Sequence, residues 1–305
     1  MEKQRGAAHT SPNGHSGKIT TSDWDKSTTI LNGCILKMTD YCIKRSRSGS
    51  DPDVTVIVAV KNGADSLEAC LLSILAQEGP KVEIIIVDGG STDGTLQIID
   101  RYRSRLAAVL NDAKCGVYDA WNRALEHCHS PWIAFLGCDD HYSDKTAIAK
   151  LLDASQKTLP VPFFIYSQLI FQDANGKTLK IIGQPWEKAR TQFEYKMSVI
   201  HCGALHAREL FDKGGFNTSF RIVGDYEFLY RQRERLGAVF VEEPLVTARA
   251  GGLSTRSDLA VIQKLEVKRL FKIHRAGVFA NLYWYLGMCA TLGSLTLERI
   301  RKLLP

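Results

Sequence analysis

The run VTVIVAV at residues 54–60 has no polar face. A strand with one side in water alternates apolar and polar residues, whereas a continuous β-branched run needs cover on both sides. VEIIIVDGG (82–90) and WIAFLG (132–137) read the same way. Between these runs, SLEACLLSILAQ (66–77), TLQIIDRYRSRL (95–106) and GVYDAWNRALEHC (116–128) place apolar residues at helical spacing. Ser91 or Asp93 can cap the second of these helices, and AAVLN supplies a short strand before the third. Buried strand alternates with amphipathic helix, which predicts an α/β fold with a mostly parallel central sheet and helices on both faces.

Further along, the pattern predicts a helix over 145–154 and two strands within 163–182 joined at Asn175-Gly176. A loop, a strand edge and two helices follow, the second over 226–236, then a strand within 238–252. Residues 1–50 are polar and read as a flexible extension with a short helix near 35–43. The ordered domain is expected over 51–257, and residues 258–305 as a basic, apolar helical segment. An apolar share of 45% and a charged share of 24% are those of a globular protein. The net charge of +6 suits an anionic ligand or a lipid surface, and no nucleic-acid partner is expected. The eight cysteines form no CxxC pair, which argues against a zinc ribbon or disulfide framework and fits a reducing compartment. The first 30 residues contain no apolar core of an export signal.

In an open parallel sheet, ligands bind in the crevice at the carboxyl ends of the strands. Three polar segments fall there: Lys61-Asn62-Gly63 after Val60, Asp88-Gly89-Gly90-Ser91-Thr92-Asp93-Gly94, and Asp139-Asp140. DGGSTDG alone is also ordinary turn chemistry, and DDHYSD alone could be an acidic helix start. Together at one sheet edge, they point to a nucleotide site. Neither GxGxxG nor GxxxxGK[ST] is present, so this is not a dinucleotide fingerprint or a P-loop. Adjacent carboxylates at the end of a buried strand repel each other, and a divalent cation, Mn²⁺ or Mg²⁺, bridging to substrate phosphates would relieve that repulsion.

The segments VTVIVAVKNGADSLEACLLSILAQ, IIIVDGGSTDGT, GVYDAWNRAL, FLGCDDHY and GGFNTSFRIVGDYEFLYR occur in the order seen in family 2 glycosyltransferases of the GT-A fold. The resemblance covers roughly residues 53–255 and is nearest to bacterial enzymes of polysaccharide and lipid-linked oligosaccharide synthesis. It implies a nucleotide-sugar donor, UDP-linked, a divalent metal, and inversion at the anomeric carbon during hexosyl or N-acetylhexosaminyl transfer. By the same resemblance, Asp88 holds the base and Val60, Lys61, Asn62, Gly89 and Ser91 lie around the nucleotide. Tyr118, Asp119 and Asn122 border the donor, and Asp139 and Asp140 are its metal and ribose carboxylates. Asp225 is implied as the catalytic base, His201 and Gly224 belong to the acceptor pocket, and the loop Gly251-Gly252-Leu253-Ser254 covers the diphosphate. Two departures stand out: many relatives have an Asp where Gly137 stands and an acidic residue where Lys114 stands.

The bland reading of Asp225 is a helix N-cap. Rival functions are a catalytically inactive GT-A module acting as a binding subunit, against which Asp139, Asp140 and Asp225 argue, and a sugar nucleotidyltransferase. The latter would need a Gly-rich, Arg/Lys-bearing loop where VKNGADS stands. The uncharged run 276–297, with Tyr283-Trp284-Tyr285 and five preceding basic residues, predicts association with the cytoplasmic face of a membrane or a homodimer interface. A lipid-linked or saccharide acceptor suits the first of these.

Overall fold

The three apolar runs lie side by side as parallel strands. β1 (Val54–Val60) is central, with β2 (Val82–Asp88) on one side and β4 (Trp132–Gly137) on the other, while β3 (Ala108–Asn111) extends the sheet from β2. The computed structural model describes residues 51–113, 116–158, 160–252 and 256–303, with side chains as far as Ser294. The expected extension over 1–50, its helix at 35–43, Lys114, Leu253 and Ser254 lie outside the described residues.

Burial on both faces accounts for the missing polar face of β1. Ile57 enters one core with Ile85, Val87, Ile133 and Phe135. Its neighbours Val56 and Val58 enter a second core with Ile84, Ile86, Ala134 and Leu136. The second core is covered by α1 (Leu67–Leu75), α2 (Thr95–Tyr102) and α4 (Ala147–Gln156). The first is covered by α3 (Val117–Leu125), α5 (Trp186–Phe193), α6 (Gly224–Tyr230) and α7 (Ala260–Ile273).

Beyond β4 the sheet becomes mixed. β8 (Leu205–Ala207) pairs antiparallel with β4, β6 (Phe164–Gln172) antiparallel with β8, and β9 (Ala238–Arg249) parallel with β6. The two-residue β5 (His141–Tyr142) pairs with β9, and β7 (Thr178–Ile182) pairs with β6. The β6–β7 connection is longer than a two-residue turn. Asp173 Oδ1 accepts the N–H groups of Asn175 and Lys177, and Gly176 takes φ +80°. Helix α5 stands where the sequence predicted a loop; Ala189 and Phe193 are the residues it buries. α6 stops at Tyr230 and gives way to turns over 231–235, short of the expected end at 236.

The core continues past residue 257. Leu270 and Phe271 of α7 and Ala280 of α8 (Val278–Leu303) join the same buried cluster as Tyr230, and the rings of Phe271 and Tyr230 lie 6.1 Å apart. His274 Nε2 sits 2.8 Å from Glu227 Oε1, tying the end of α7 to α6. Among the described residues no helix is long and apolar enough to cross a membrane.

If α7 belongs to the core, Phe271→Ala should destabilise the full-length protein by about 3–5 kcal/mol. The exposed neighbour Leu265 should tolerate Ala within about 0.5 kcal/mol. Urea denaturation followed by tryptophan fluorescence measures both.

Candidate functional site

The register of the sheet brings three strand ends to one edge. Val60 pairs with Asp88, Ala59 with Gly137, and Asp88 with Asn111. The chain runs outward from β1 through β2 to β3, then returns to place β4 on the other side of β1. That reversal opens a crevice at the carboxyl ends of β1 and β4.

The loops after β1 and β2 are laced together across this crevice. Gly89 N–H donates to the Val60 carbonyl at 2.8 Å, and Asn62 N–H donates to Ser91 Oγ at 2.8 Å. Thr92 N–H donates to Asn62 Oδ1 at 2.9 Å, and Gly63 N–H donates to Thr95 Oγ1 at 2.9 Å. Asn62 adopts φ +52°, a left-handed conformation that asparagine tolerates better than most residues. The Lys61 and Asn62 side chains are exposed beside the crevice, and the buried Ser91 is spent on the lacing.

Asp88 is 2% exposed. Its Oδ2 accepts the N–H groups of Gly90 and Ser91, each at 3.0 Å, as an Asx turn does. Its Oδ1 is buried with no partner. A buried acceptor left open is costly and calls for a ligand donor.

At the end of β4 the two neighbouring carboxylates fold back over the strand. A Cβ added to Gly137 would lie 2.6 Å from Asp140 Oδ2 and 2.9 Å from Asp139 Oδ1. The space left by the missing side chain is therefore filled by both carboxylates, and a larger residue here would displace them. Burial first, and the Asp139 charge second, push the Asp140 carboxyl up to about 7. The Cys202 thiol donates to Asp140 Oδ2 at 3.0 Å. Gly252 approaches from the loop after β9, where an added Cβ would stand 3.6 Å from Asp139 Oδ2. Among the described residues no group of three or more His, Cys, Asp or Glu side chains is arranged to hold a metal. Two hard carboxylates without a third protein ligand suit a cation that completes its shell with substrate phosphates and water, and do not suit a closed protein cage.

Asp225 lies at the start of α6 against Tyr118 of α3. The Tyr118 hydroxyl proton is shared between the Ile222 carbonyl at 2.7 Å and Asp225 Oδ1 at 3.2 Å. Gly224 is required by that packing, because a Cβ there would stand 2.6 Å from the Tyr118 ring. Burial pushes the Asp225 carboxyl up to about 6, and burial followed by the Asp225 charge holds the Tyr118 phenol well above its ordinary range. Asp225 is then mostly ionised at neutral pH yet basic enough to take a proton.

Other expected residues are engaged elsewhere. Asn122 clamps the backbone of Phe216, donating to its carbonyl at 2.8 Å and accepting its N–H at 2.7 Å. Asp119 accepts the Gly116 N–H at 3.3 Å at the start of α3. His201 is 8% exposed and stacks on Trp121 and Phe135, with centroids 5.4 and 5.5 Å apart. Its Nε2 has no partner, and burial pushes its pKa down to about 3, so the ring is neutral. Two groups come from outside the expected motifs. One is Cys202. The other is Glu266 of α7, which accepts the N–H groups of Arg221, Ile222 and Val223 at 2.7, 2.8 and 3.0 Å. Glu266 is the only acidic residue within Ala260–Ile273, a signal the sequence carried.

Comparison with known proteins converges on one family. The model described as Glycosyl transferase family 2 matches residues 55–214. A PGL/p-HBAD biosynthesis glycosyltransferase of Mycobacterium tuberculosis is 30% identical over 234 residues, covering 74% of this chain and 87% of that protein. The putative teichuronic acid biosynthesis glycosyltransferase TuaG of Bacillus subtilis is 34% identical over 125 residues, covering 40% and 49%. Among solved structures, S. aureus TarS 1–349 in complex with UDP-GlcNAc superimposes with a TM-score of 0.56 at 19% identity, over 72% of this chain and 66% of that one. The mannosyltransferase PcManGT from Pyrobaculum calidifontis, in complex with GDP-Man and Mn²⁺, gives 0.58 at 18%, over 82% and 76%.

The Asn122 clamp makes two part-buried hydrogen bonds, each worth about 1 kcal/mol net. Asn122→Ala should therefore lower the stability of the ligand-free protein by about 2 kcal/mol, measured by thermal or urea unfolding without nucleotide.

Proposed function

Because the chain belongs to glycosyl transferase family 2, we propose that it moves a sugar from a UDP-linked donor to a saccharide or lipid-linked acceptor of a cell-surface glycan, with inversion. The observation that carries this reading is the open, buried Oδ1 of Asp88 at the floor of the crevice. It can accept the imide N–H of a uracil, while the laced loops after β1 and β2 frame the ribose. The names of the relatives, concerned with PGL/p-HBAD and teichuronic acid, support the glycan, and the nucleotide sugars named with the neighbouring structures support the donor.

Asp139 and Asp140 are the carboxylates that would hold a divalent cation, Mn²⁺ or Mg²⁺. When bound, that ion would supply positive charge to the leaving diphosphate. Lys61 adds a mobile cation at the same edge, and Gly251-Gly252 closes over Asp139 from the far side. Asp225 takes the proton of the acceptor hydroxyl as the hydroxyl attacks the anomeric carbon. Tyr118 holds one oxygen of that carboxylate in place. Residues 51–257 form the catalytic region in this reading.

In this reading the enzyme works at the cytoplasmic face of a membrane, held there by its C-terminal helices. On α8, Val278, Phe279 and Leu286 are 86%, 66% and 64% exposed. Beside them an open groove of about 540 Å³ is lined by Lys268, Arg269, Lys272 and Arg275. Apolar side chains next to clustered positive charge match an anionic lipid surface, where each Lys or Arg contributes about 1 kcal/mol.

Asp225→Asn should keep UDP binding and lower kcat by about 10²–10⁴-fold. Because the folded pKa is raised and the ionised form is the active one, wild-type kcat/KM should fall as pH drops through about 6. Transfer assays with a panel of nucleotide sugars, with Mn²⁺ or EDTA, test this. Wild-type turnover by Asp225→Asn would remove the base, and full activity of a double Ala variant at 139 and 140 in EDTA would remove the metal. For the membrane, full-length protein should float with phosphatidylglycerol vesicles, and a Phe279→Ser, Leu286→Ser double variant should stay in the pellet fraction. A dimer that the same double variant dissolves, without flotation of the wild type, would make α8 an oligomer interface instead.

A further inference from the structure

The segment 219–225 leads into Asp225, yet it has little regular structure of its own. Residues 221–223 are a bend, and α6 begins only at Gly224. The N–H of the N-cap Val223 has no partner within the helix, and those of Arg221 and Ile222 lie before it. Here they are all taken by one carboxylate from a distant part of the chain. Glu266 Oε1 accepts Arg221 N–H, and Oε2 accepts both Ile222 and Val223 N–H. One helical turn on, Arg269 of α7 donates to the Ser219 carbonyl at 3.0 Å and to Ser219 Oγ at 2.9 Å, with its guanidinium 5.1 Å from the Phe220 ring centroid. From the opposite side Tyr118 holds the Ile222 carbonyl. The peptide units just before Asp225 are thus clamped between α7 and α3.

We propose that Glu266 is a positioning residue for the proposed base, fixing the backbone from which Asp225 projects. The proposal rests on the reading of Asp225 as the base. Charge-assisted hydrogen bonds to backbone N–H groups are short and directional, so Glu266 limits the wandering of this segment more than a neutral acceptor would. A positioned base loses rate when its carriage loosens, because reacting atoms must meet within a few tenths of an ångström. Glu266 also bears on Asp225 by charge. The titratable groups around Asp225 are the Tyr118 phenol from α3 and the Glu266 carboxylate from α7, and the second raises the Asp225 pKa. Removing the Glu266 charge therefore lowers that pKa.

The test compares Glu266→Ala, Glu266→Gln and Asp225→Asn in the full chain, reading kcat, donor KM, UDP affinity and the pH profile. Glu266→Ala should lower kcat at least ten-fold while UDP affinity stays within two-fold, since the hydrogen bonds of Glu266 go to residues 221–223 and not to the loop of Asp88. Glu266→Gln keeps an acceptor oxygen without the charge. It should recover part of kcat and move the acid limb of kcat/KM to lower pH, which a merely structural role would not do. Wild-type kcat and an unmoved acid limb in the Gln variant would overturn the positioning role, whether or not the Ala variant folds. So would a fall in kcat matched by an equal fall in UDP affinity. Full turnover by Asp225→Asn would instead remove the base assignment itself, an outcome read independently of either Glu266 variant.

Discussion

Everything polar in this site follows from the burial of β1 on both faces. A strand covered by helices above and below can expose backbone and polar side chains only at its ends. Val54–Val60 is such a strand, and its ladder partners β2 and β4 end level with it. The reversal of strand order between β1 and β4 then leaves a gap where loops can part. The lacing of Asn62, Ser91, Thr92 and Thr95 stiffens the rim of that gap.

Asp88, Asp140 and Asp225 are each treated differently by the fold. Asp88 has one oxygen satisfied by backbone N–H groups and one left open. Burial, and then the Asp139 charge, push the Asp140 carboxyl up to about 7, against the lowering effect of the hydrogen bond from the Cys202 thiol. Burial pushes the Asp225 carboxyl up to about 6, against the lowering effect of the hydrogen bond from the Tyr118 phenol. The same functional group thus sits in three settings: half satisfied by backbone N–H groups, crowded by a second carboxylate, and desolvated beside a phenol. The differences come from burial and neighbours alone.

The layered α/β fold was legible because periodicity reports burial. The runs at 54, 82 and 132 have one physical explanation, and so do the helices between them. The crevice was legible for the same reason, since strand ends locate it. The hidden features depend on pairing over long sequence distances. β5 is two residues long and exists through its ladder with β9, which no local pattern announces. Helix α5 buries little more than Ala189 and Phe193, too thin a stripe to stand out beside its polar residues. Asn122 reads as a ligand-facing amide, whereas Phe216, far along the chain, takes both its donor and its acceptor. Membership of a glycosyltransferase family was visible in the order of motifs; the partners of Gly137, Cys202 and Glu266 needed the third dimension.

The placement of Glu266 bears on where such an enzyme can be cut. The composition of the chain changes near residue 257, and a catalytic module trimmed there would look complete by its motifs. Trimming would strip the carboxylate from three backbone N–H groups, each costing about 1–3 kcal/mol if buried without a replacement. It would also open the cluster around Phe271 and remove His274 from Glu227. The C-terminal tail is thus part of the scaffold. Exchanging tails between relatives would exchange the support under the segment that leads into Asp225 as well.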